Sequence, residues 1–300
     1  TVETFDPHEP FYTQPEFKQL YPHDFDALGM VLDWPPYREV KEGEESVVEH
    51  FRNSYAALVS MCDRYLGQIL DTMDKFDLWK DTMLIVNTDH GFMLGEHDWL
   101  AKNNPPLYRE IANTPFFLHD PRSPRSGGRC DTLAQTIDIA PTLLEFFGVP
   151  APTDMLGKPL TLNAADGDEA RDAAIFGYFK QHLNVTDGRY VYMRGPVKDT
   201  PIYEYTLMPT RMRGFFGADS LARAELHDGF GFTKGCKLLK VPAGTANMNR
   251  ATMLFDLEAD PGQETPINDP AIEERMLGLL KRLAVENEAP PEIIEAYGLD

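Results

Sequence analysis

A carboxylate, two imidazoles and an ammonium stand close together in Val86-Asn87-Thr88-Asp89-His90-Gly91-Phe92-Met93-Leu94-Gly95-Glu96-His97-Asp98-Trp99-Leu100-Ala101-Lys102. A carboxylate and an imidazole can ligate a divalent cation, and a compact ammonium can contact an anion. The preceding apolar run, 83–86, reads as a buried strand, so Asp89 and His90 fall at its carboxyl end. That is where open α/β sheets bind ligands. Bland readings stand beside these. Asp89 could cap a helix next to a surface His90, and a lone lysine such as Lys102 is usually solvated.

The surrounding pattern supplies elements to hold such a site. Phe51, Tyr55, Leu58, Cys62, Leu66, Ile69 and Met73 recur at helical spacing. Ser46 reads as the N-cap of that helix, with Glu49 completing a capping box. Helix followed by strand is the order of an α/β sheet. Thr1-Val2-Glu3-Thr4-Phe5 alternates like the end of a strand, and residues 12–45 read as an irregular excursion with short helices at most. Thr114-Pro115-Phe116-Phe117-Leu118 reads as a further strand. A helix is expected over 132–148, stopped by Gly148 and kinked or restarted at Pro141. Composition becomes loop-like over 150–168, which places a boundary at 160/161. Beyond it, 174–178, 189–194 and 252–257 read as strands and 271–287 as a helix, with Asp187-Gly188 as a hairpin signal. Residues 196–250 are Gly-rich and resist assignment.

Bulk properties narrow the function. Three hundred residues at 42% hydrophobic content can bury one substantial core and a smaller appended one. A net charge of −20 argues against nucleic acid or an anionic membrane as partner. No apolar run approaches the roughly 20 residues of a membrane span. Cys62, Cys130 and Cys236 are scattered and fit neither a disulfide framework nor a zinc motif. They read as free thiols and mildly favour a reducing, cytoplasmic setting, while leaving periplasm or secretion open. The chain starts at Thr1 and reads as a fragment or a processed chain.

Four stretches, in order, carry a resemblance to the sulfatase family of the alkaline-phosphatase superfamily. Asp6-Pro7-His8-Glu9-Pro10-Phe11 resembles the segment bearing a substrate-facing His. Thr88-Asp89-His90-Gly91, with Leu94-Gly95-Glu96-His97 and Lys102, resembles the second metal-binding segment and its sulfate-contacting lysine. Thr136-Ile137-Asp138-Ile139-Ala140-Pro141-Thr142-Leu143-Leu144, followed by Gly148-Val149, resembles the helix after it. Met253-Leu254-Phe255-Asp256-Leu257-Glu258-Ala259-Asp260-Pro261-Gly262-Gln263-Glu264 resembles a C-terminal strand and turn, with Phe255 in place of the usual tyrosine.

The resemblance implies an α/β fold, part of a three-layer sandwich around a mixed sheet. Residues 1–160 would be the C-terminal half of the catalytic domain, and 161–300 a smaller α+β subdomain of antiparallel sheet and helix. It implies metal-dependent hydrolysis of small-molecule or carbohydrate sulfate esters. Asp89 and His90 would be metal ligands, His8 and Lys102 catalytic, and His97 a supporting residue behind the ligands. The ion implied is Ca²⁺, with Mg²⁺, Mn²⁺ and Zn²⁺ as alternatives. None of the three cysteines stands in the family's Cys/Ser-x-Pro/Ala-x-Arg setting, so the nucleophile is expected outside this chain. The isolated chain is then expected to be inactive, and the missing portion or a second copy becomes an expected partner. Alternatives are a phosphonate monoester or phosphodiester hydrolase of the same superfamily, and a non-catalytic remnant. His23, His50, His119, His182 and His227 read as structural or surface residues, and Arg211 and Arg213 as a solvated loop.

Overall fold

A computed structural model describes residues 1–29, 33–125, 127–160, 171–211 and 214–300. Arg213 and the residues just after the expected 160/161 boundary lie outside the described residues. The chain packs as two compact units, Thr1–Pro124 and Arg125–Asp300. The whole is a mixed α/β fold with several antiparallel sheets. No helix among the described residues is long and apolar enough to cross a membrane.

In the first unit the helix Glu45–Lys75 is the main support. His50, Phe51, Ser54, Ala57, Leu58 and Met61 form its buried stripe, at the three-to-four spacing that puts residues on one face. Phe11, Phe17 and Leu100 close over it, with Tyr55, Phe92 and Leu94 at the margin. The expected Ser46 cap is not used. The helix starts at Glu45 without a side-chain cap bond. Glu44 instead takes the Arg38 fork at 2.8 Å on each oxygen and the Lys41 N–H at 2.9 Å. This charged clamp braces the residue ahead of the helix, and the Arg38 bond is the main reason the Glu44 carboxyl falls to about 2.

The strand Leu84–Asn87 pairs antiparallel with Phe116–His119, close to the expected ranges. Thr1–Phe5 is a correction. It forms no strand, because its backbone pairs with none among the described residues, and Val2 and Phe5 are exposed.

The second unit is built on a four-stranded antiparallel sheet, ordered Met253–Asp256, Tyr190–Arg194, Leu183–Thr186, Ala174–Gly177. Thr186 pairs with Val191 across the Asp187-Gly188 turn. The helix Pro270–Glu286 lays Met276, Leu280, Leu283 and Ala284 into the core with Val185, Tyr192 and Leu254. Asp269 caps it, accepting from the Ala271 and Ile272 N–H groups, ahead of a proline at the first position. A three-stranded sheet, Glu225–His227, Leu238–Thr245 and Pro201–Thr206, occupies the region that sequence did not resolve.

Two family-like motifs hold this unit together. Asp138 is buried and accepts from the Gln135 N–H at 2.8 Å, the Lys158 N–H at 2.8 Å and Arg171 at 2.5 Å. Pro141 sits in the first turn of the helix Ile139–Phe146, where its missing N–H leaves no interior bond unmade. Asp256 takes a two-point contact from Arg189 at 3.1 and 2.7 Å, which fixes the strand before its closing turn.

Candidate functional site

The strand Leu84–Asn87 delivers Asp89 and His90 into a loop. Asp89 Oδ1 accepts from the His90 N–H at 2.9 Å, which turns the chain. His90 Nδ1 lies 3.0 Å from the Gly91 carbonyl oxygen. A carbonyl only accepts, so Nδ1 carries a proton. Nε2 lies 3.5 Å from Asp89 Oδ2 beside solvent, where a proton or a cation can satisfy both atoms. Oxygen plus imidazole nitrogen is a donor set that divalent ions accept. Gly91 permits the loop to dock: a Cβ there would stand 1.8 Å from the Glu110 carbonyl oxygen.

A two-stranded hairpin, Met93–Leu94 with Leu100–Ala101, carries the chain onward to Lys102. Gly95 turns it at φ 100°, pressed so close to Val48 that a side chain would clash. Arg52 of the long helix donates to the Leu94 carbonyl at 2.6 Å, and Glu96 accepts from the Leu94 N–H at 2.6 Å. His97 lies in left-handed backbone, stacks flat on Tyr108 at 3.7 Å and faces Glu110 Oε2 at 3.6 Å. Glu110 is thus met on two sides, by His97 at its side chain and by Gly91 at its backbone.

The third part comes from the first residues. Phe11 packs edge-on to Phe92 with ring centres 5.3 Å apart, which draws the His8 segment to the hairpin. Glu9 is 1% exposed and gathers three partners. Tyr37 Oη donates to Oε1. Lys102 Nζ lies 3.4 Å and His8 Nδ1 3.5 Å from Oε2. Burial alone would raise the Glu9 carboxyl, but Tyr37, a backbone bond and the Lys102 and His8 charges outweigh it and hold it below its ordinary value. Lys102 is itself only 6% exposed, so its charge is kept out of bulk water.

Sequence reasoning named His8 and Lys102 separately; the structure places both on one carboxylate. It keeps Asp89 and His90 adjacent and packs His97 on Tyr108 and Glu110. Among the described residues no three His, Cys, Asp or Glu side chains group as a metal site. Glu9 and Tyr37 were missed. Glu9 had a signal, a carboxylate beside His8 between prolines; Tyr37 had none.

Cys62 is unsuited to nucleophilic work. Burial first, and then the Asp6 charge, push its thiol up, opposite to an activated thiolate. Beside the hairpin a cavity of about 900 Å³ is lined by Glu42, Glu45, Glu49 and Asp98 against Lys41 and Arg52. Its carboxylates make it a poor seat for an anion. The remaining histidines hold structure. His23 bonds His50 at 3.0 Å, and His50 meets Asp33 at 3.2 Å. His119 and His182 bond the Trp79 and Ala251 carbonyls, and His227 accepts from the Gly229 N–H.

The chain is similar to known proteins of one family. The family model described as Sulfatase matches residues 1–149, and that described as N-sulphoglucosamine sulphohydrolase, C-terminal, matches 95–204. An N-acetylglucosamine-6-O-sulfatase from Bacteroides thetaiotaomicron is 26% identical over 59% of this chain and 34% of its own length. A protein solved in complex with D-glucosamine-2-N,6-O-disulfate superposes with a TM-score of 0.56 at 19% identity, over 82% of this chain and 43% of that one. The phosphonate monoester hydrolase of Agrobacterium radiobacter gives 0.52 at 20% identity, over 81% and 42%. These two structural likenesses show a shared fold. The chain spans about a quarter to two fifths of the length of the curated relatives it matches. With two family models matching overlapping stretches that together span residues 1–204 and the fold shared, this chain belongs to the sulfatase family of the alkaline-phosphatase superfamily.

Proposed function

We propose that this chain carries part of the active site of a metal-dependent hydrolase of sulfate esters. The observation that supports it best is the convergence of His8 and Lys102 on buried Glu9, in the unit that also holds the Asp89–His90 pair. Breaking a sulfate ester needs positive charge on the sulfuryl oxygens and a proton for the departing oxygen. Lys102 offers an ammonium whose charge is little screened by water. His8, about a third exposed at its side chain, can reach substrate and deliver the proton.

Asp89 and His90 would hold the divalent ion, which when bound supplies electrostatic stabilisation of the transferring group. Ca²⁺ is the reading for a carboxylate-led site; Mg²⁺ is the other hard ion, and the imidazole favours Mn²⁺ or Zn²⁺ more than an all-oxygen set would. His97 supports the loop of that pair through Tyr108 and Glu110. None of the 300 residues is assigned as the nucleophile. Sulfated carbohydrate is the proposed substrate class, on the strength of the N-acetylglucosamine-6-O-sulfatase and of the neighbour solved with a disulfated glucosamine.

The likeness to a phosphonate monoester hydrolase favours a second reading, hydrolysis of phosphorus esters at the same site. A panel of sulfate esters, phosphodiesters and phosphonate monoesters, given to the full-length protein that contains this chain, separates the two. Higher kcat/KM on sulfate esters is expected. Preference for the phosphorus substrates would replace the first reading with the second.

A further inference from the structure

We infer that the buried carboxylate of Glu9 sets the charge preference of the anion site at Lys102, favouring a monoanion over a dianion. The inference rests on the sulfatase reading for the place of the anion and for its kinetic consequence. Glu9 Oε1 takes the Tyr37 hydroxyl. Oε2 is buried and has no hydrogen-bond partner among the described residues. It stands 3.4 Å from Lys102 Nζ and 3.5 Å from His8 Nδ1, within reach of their charge alone. A buried anionic oxygen without a donor is costly, so its presence calls for a reason. The carboxyl nonetheless lies below its ordinary value, so Glu9 is an anion at neutral pH. Among the described residues Lys102 has Glu9 as its one acidic partner. The field of the ammonium is therefore opposed before any ligand arrives, at a position 6% exposed where water screens little.

Charge number is what separates substrate from product in the proposed reaction. In ROSO₃⁻ + H₂O → ROH + SO₄²⁻ + H⁺, water supplies an oxygen, the ester bond breaks, and a monoanion becomes a dianion. Lys102 and His8 without a counter-charge would hold the dianion more tightly than the ester. A fixed carboxylate behind Lys102 repels the second charge as it repels the first. Glu9 thus favours the ester over product sulfate, and a monoanionic ester over a dianionic phosphate monoester. One unit charge seen across roughly 7 Å at an effective dielectric of about 20 is worth about tenfold or more in affinity.

The test compares methanesulfonate with inorganic sulfate, which share a tetrahedral sulfur and differ by one unit of charge. Dissociation constants are measured by calorimetry on the full-length protein that contains this chain, and on its Glu9→Gln and Glu9→Asp variants, at neutral pH and fixed ionic strength. Glu9→Gln keeps the shape and removes the charge. Glu9→Asp keeps the charge one methylene short. The parent is expected to bind methanesulfonate at least as tightly as sulfate. In Glu9→Gln the preference is expected to move towards sulfate by about tenfold, while Glu9→Asp stays near the parent.

An unchanged ratio in Glu9→Gln overturns the inference, because a merely structural loss weakens both anions alike. A parent that prefers sulfate overturns it even where Glu9→Gln does not fold, and so does binding of neither anion. In turnover, inorganic sulfate should inhibit Glu9→Gln more strongly, relative to its KM for a sugar sulfate, than it inhibits the parent. Should the parent hydrolyse no sulfate ester while the binding ratio still depends on the Glu9 charge, the charge preference stands and the sulfatase reading falls.

Discussion

At the scale of single residues, the site depends on contacts whose tolerance is measured in tenths of an ångström. Gly91 is the sharpest case. Its missing side chain lets the loop after Asp89 and His90 lie against the 110–111 backbone, with the Gly91 N–H donating to the Ile111 carbonyl at 2.9 Å. Gly91→Ala must move backbone rather than a flexible side chain, since the nearest atom is the Glu110 carbonyl oxygen. The expected outcome is a loss of about 1–3 kcal/mol in urea unfolding, the usual range for overpacking, with weaker divalent-ion binding as the Asp89–His90 pair shifts. Lys102 and Glu9 follow another logic. A buried ion pair adds little net stability when intact, but removing one partner strands a charge at a cost of about 3–5 kcal/mol. Truncating Lys102 therefore mixes folding with function, which makes His8, about a third exposed, the cleaner probe of chemistry.

At the scale of elements, the helix Glu45–Lys75 anchors the hairpin ahead of Lys102 through Arg52 and supports the His8 segment through Phe51 and Tyr55, which pack on Phe11. Its start rests on the Arg38–Glu44 clamp. The Glu44 carboxyl sits at about 2 against an ordinary value of 4.5, mainly because of the Arg38 bonds. A folded pKa below the unfolded one means the clamp's stabilisation is complete above about pH 4.5 and lost as pH falls towards 2. NMR titration should find a Glu44 midpoint well under 4, returning towards 4.5 in Arg38→Ala. An ordinary midpoint in the parent protein would show the clamp absent. This helix was legible in sequence because one apolar stripe at 3.6-residue spacing runs along it. Its start was not, because Ser46 and Glu49 satisfy the capping pattern while the actual clamp reaches back to Arg38. The Asp89-to-Lys102 stretch was legible for a similar reason: its parts are local in sequence. The Tyr37–Glu9 bond was not, since an irregular, proline-rich excursion separates the two residues. The sheet over 201–245 was hidden by Pro242 and Gly244, which bulge the strand Leu238–Thr245 and break its alternation.

At the scale of the whole molecule, the two units divide the labour. Thr1–Pro124 holds every residue assigned to metal or substrate, and Arg125–Asp300 uses its family-like motifs, Asp138 and Asp256, for its own packing. The central claim, sulfate ester hydrolysis with His8 at the departing oxygen, is tested most directly by sulfate release from a sugar sulfate by the full-length protein and its His8→Ala variant. The expected result is release by the parent and a kcat lower by about 10²-fold or more in the variant, the scale of a lost general acid, at unchanged melting temperature. Release by His8→Ala at the parent rate, or no release by either protein, would contradict it.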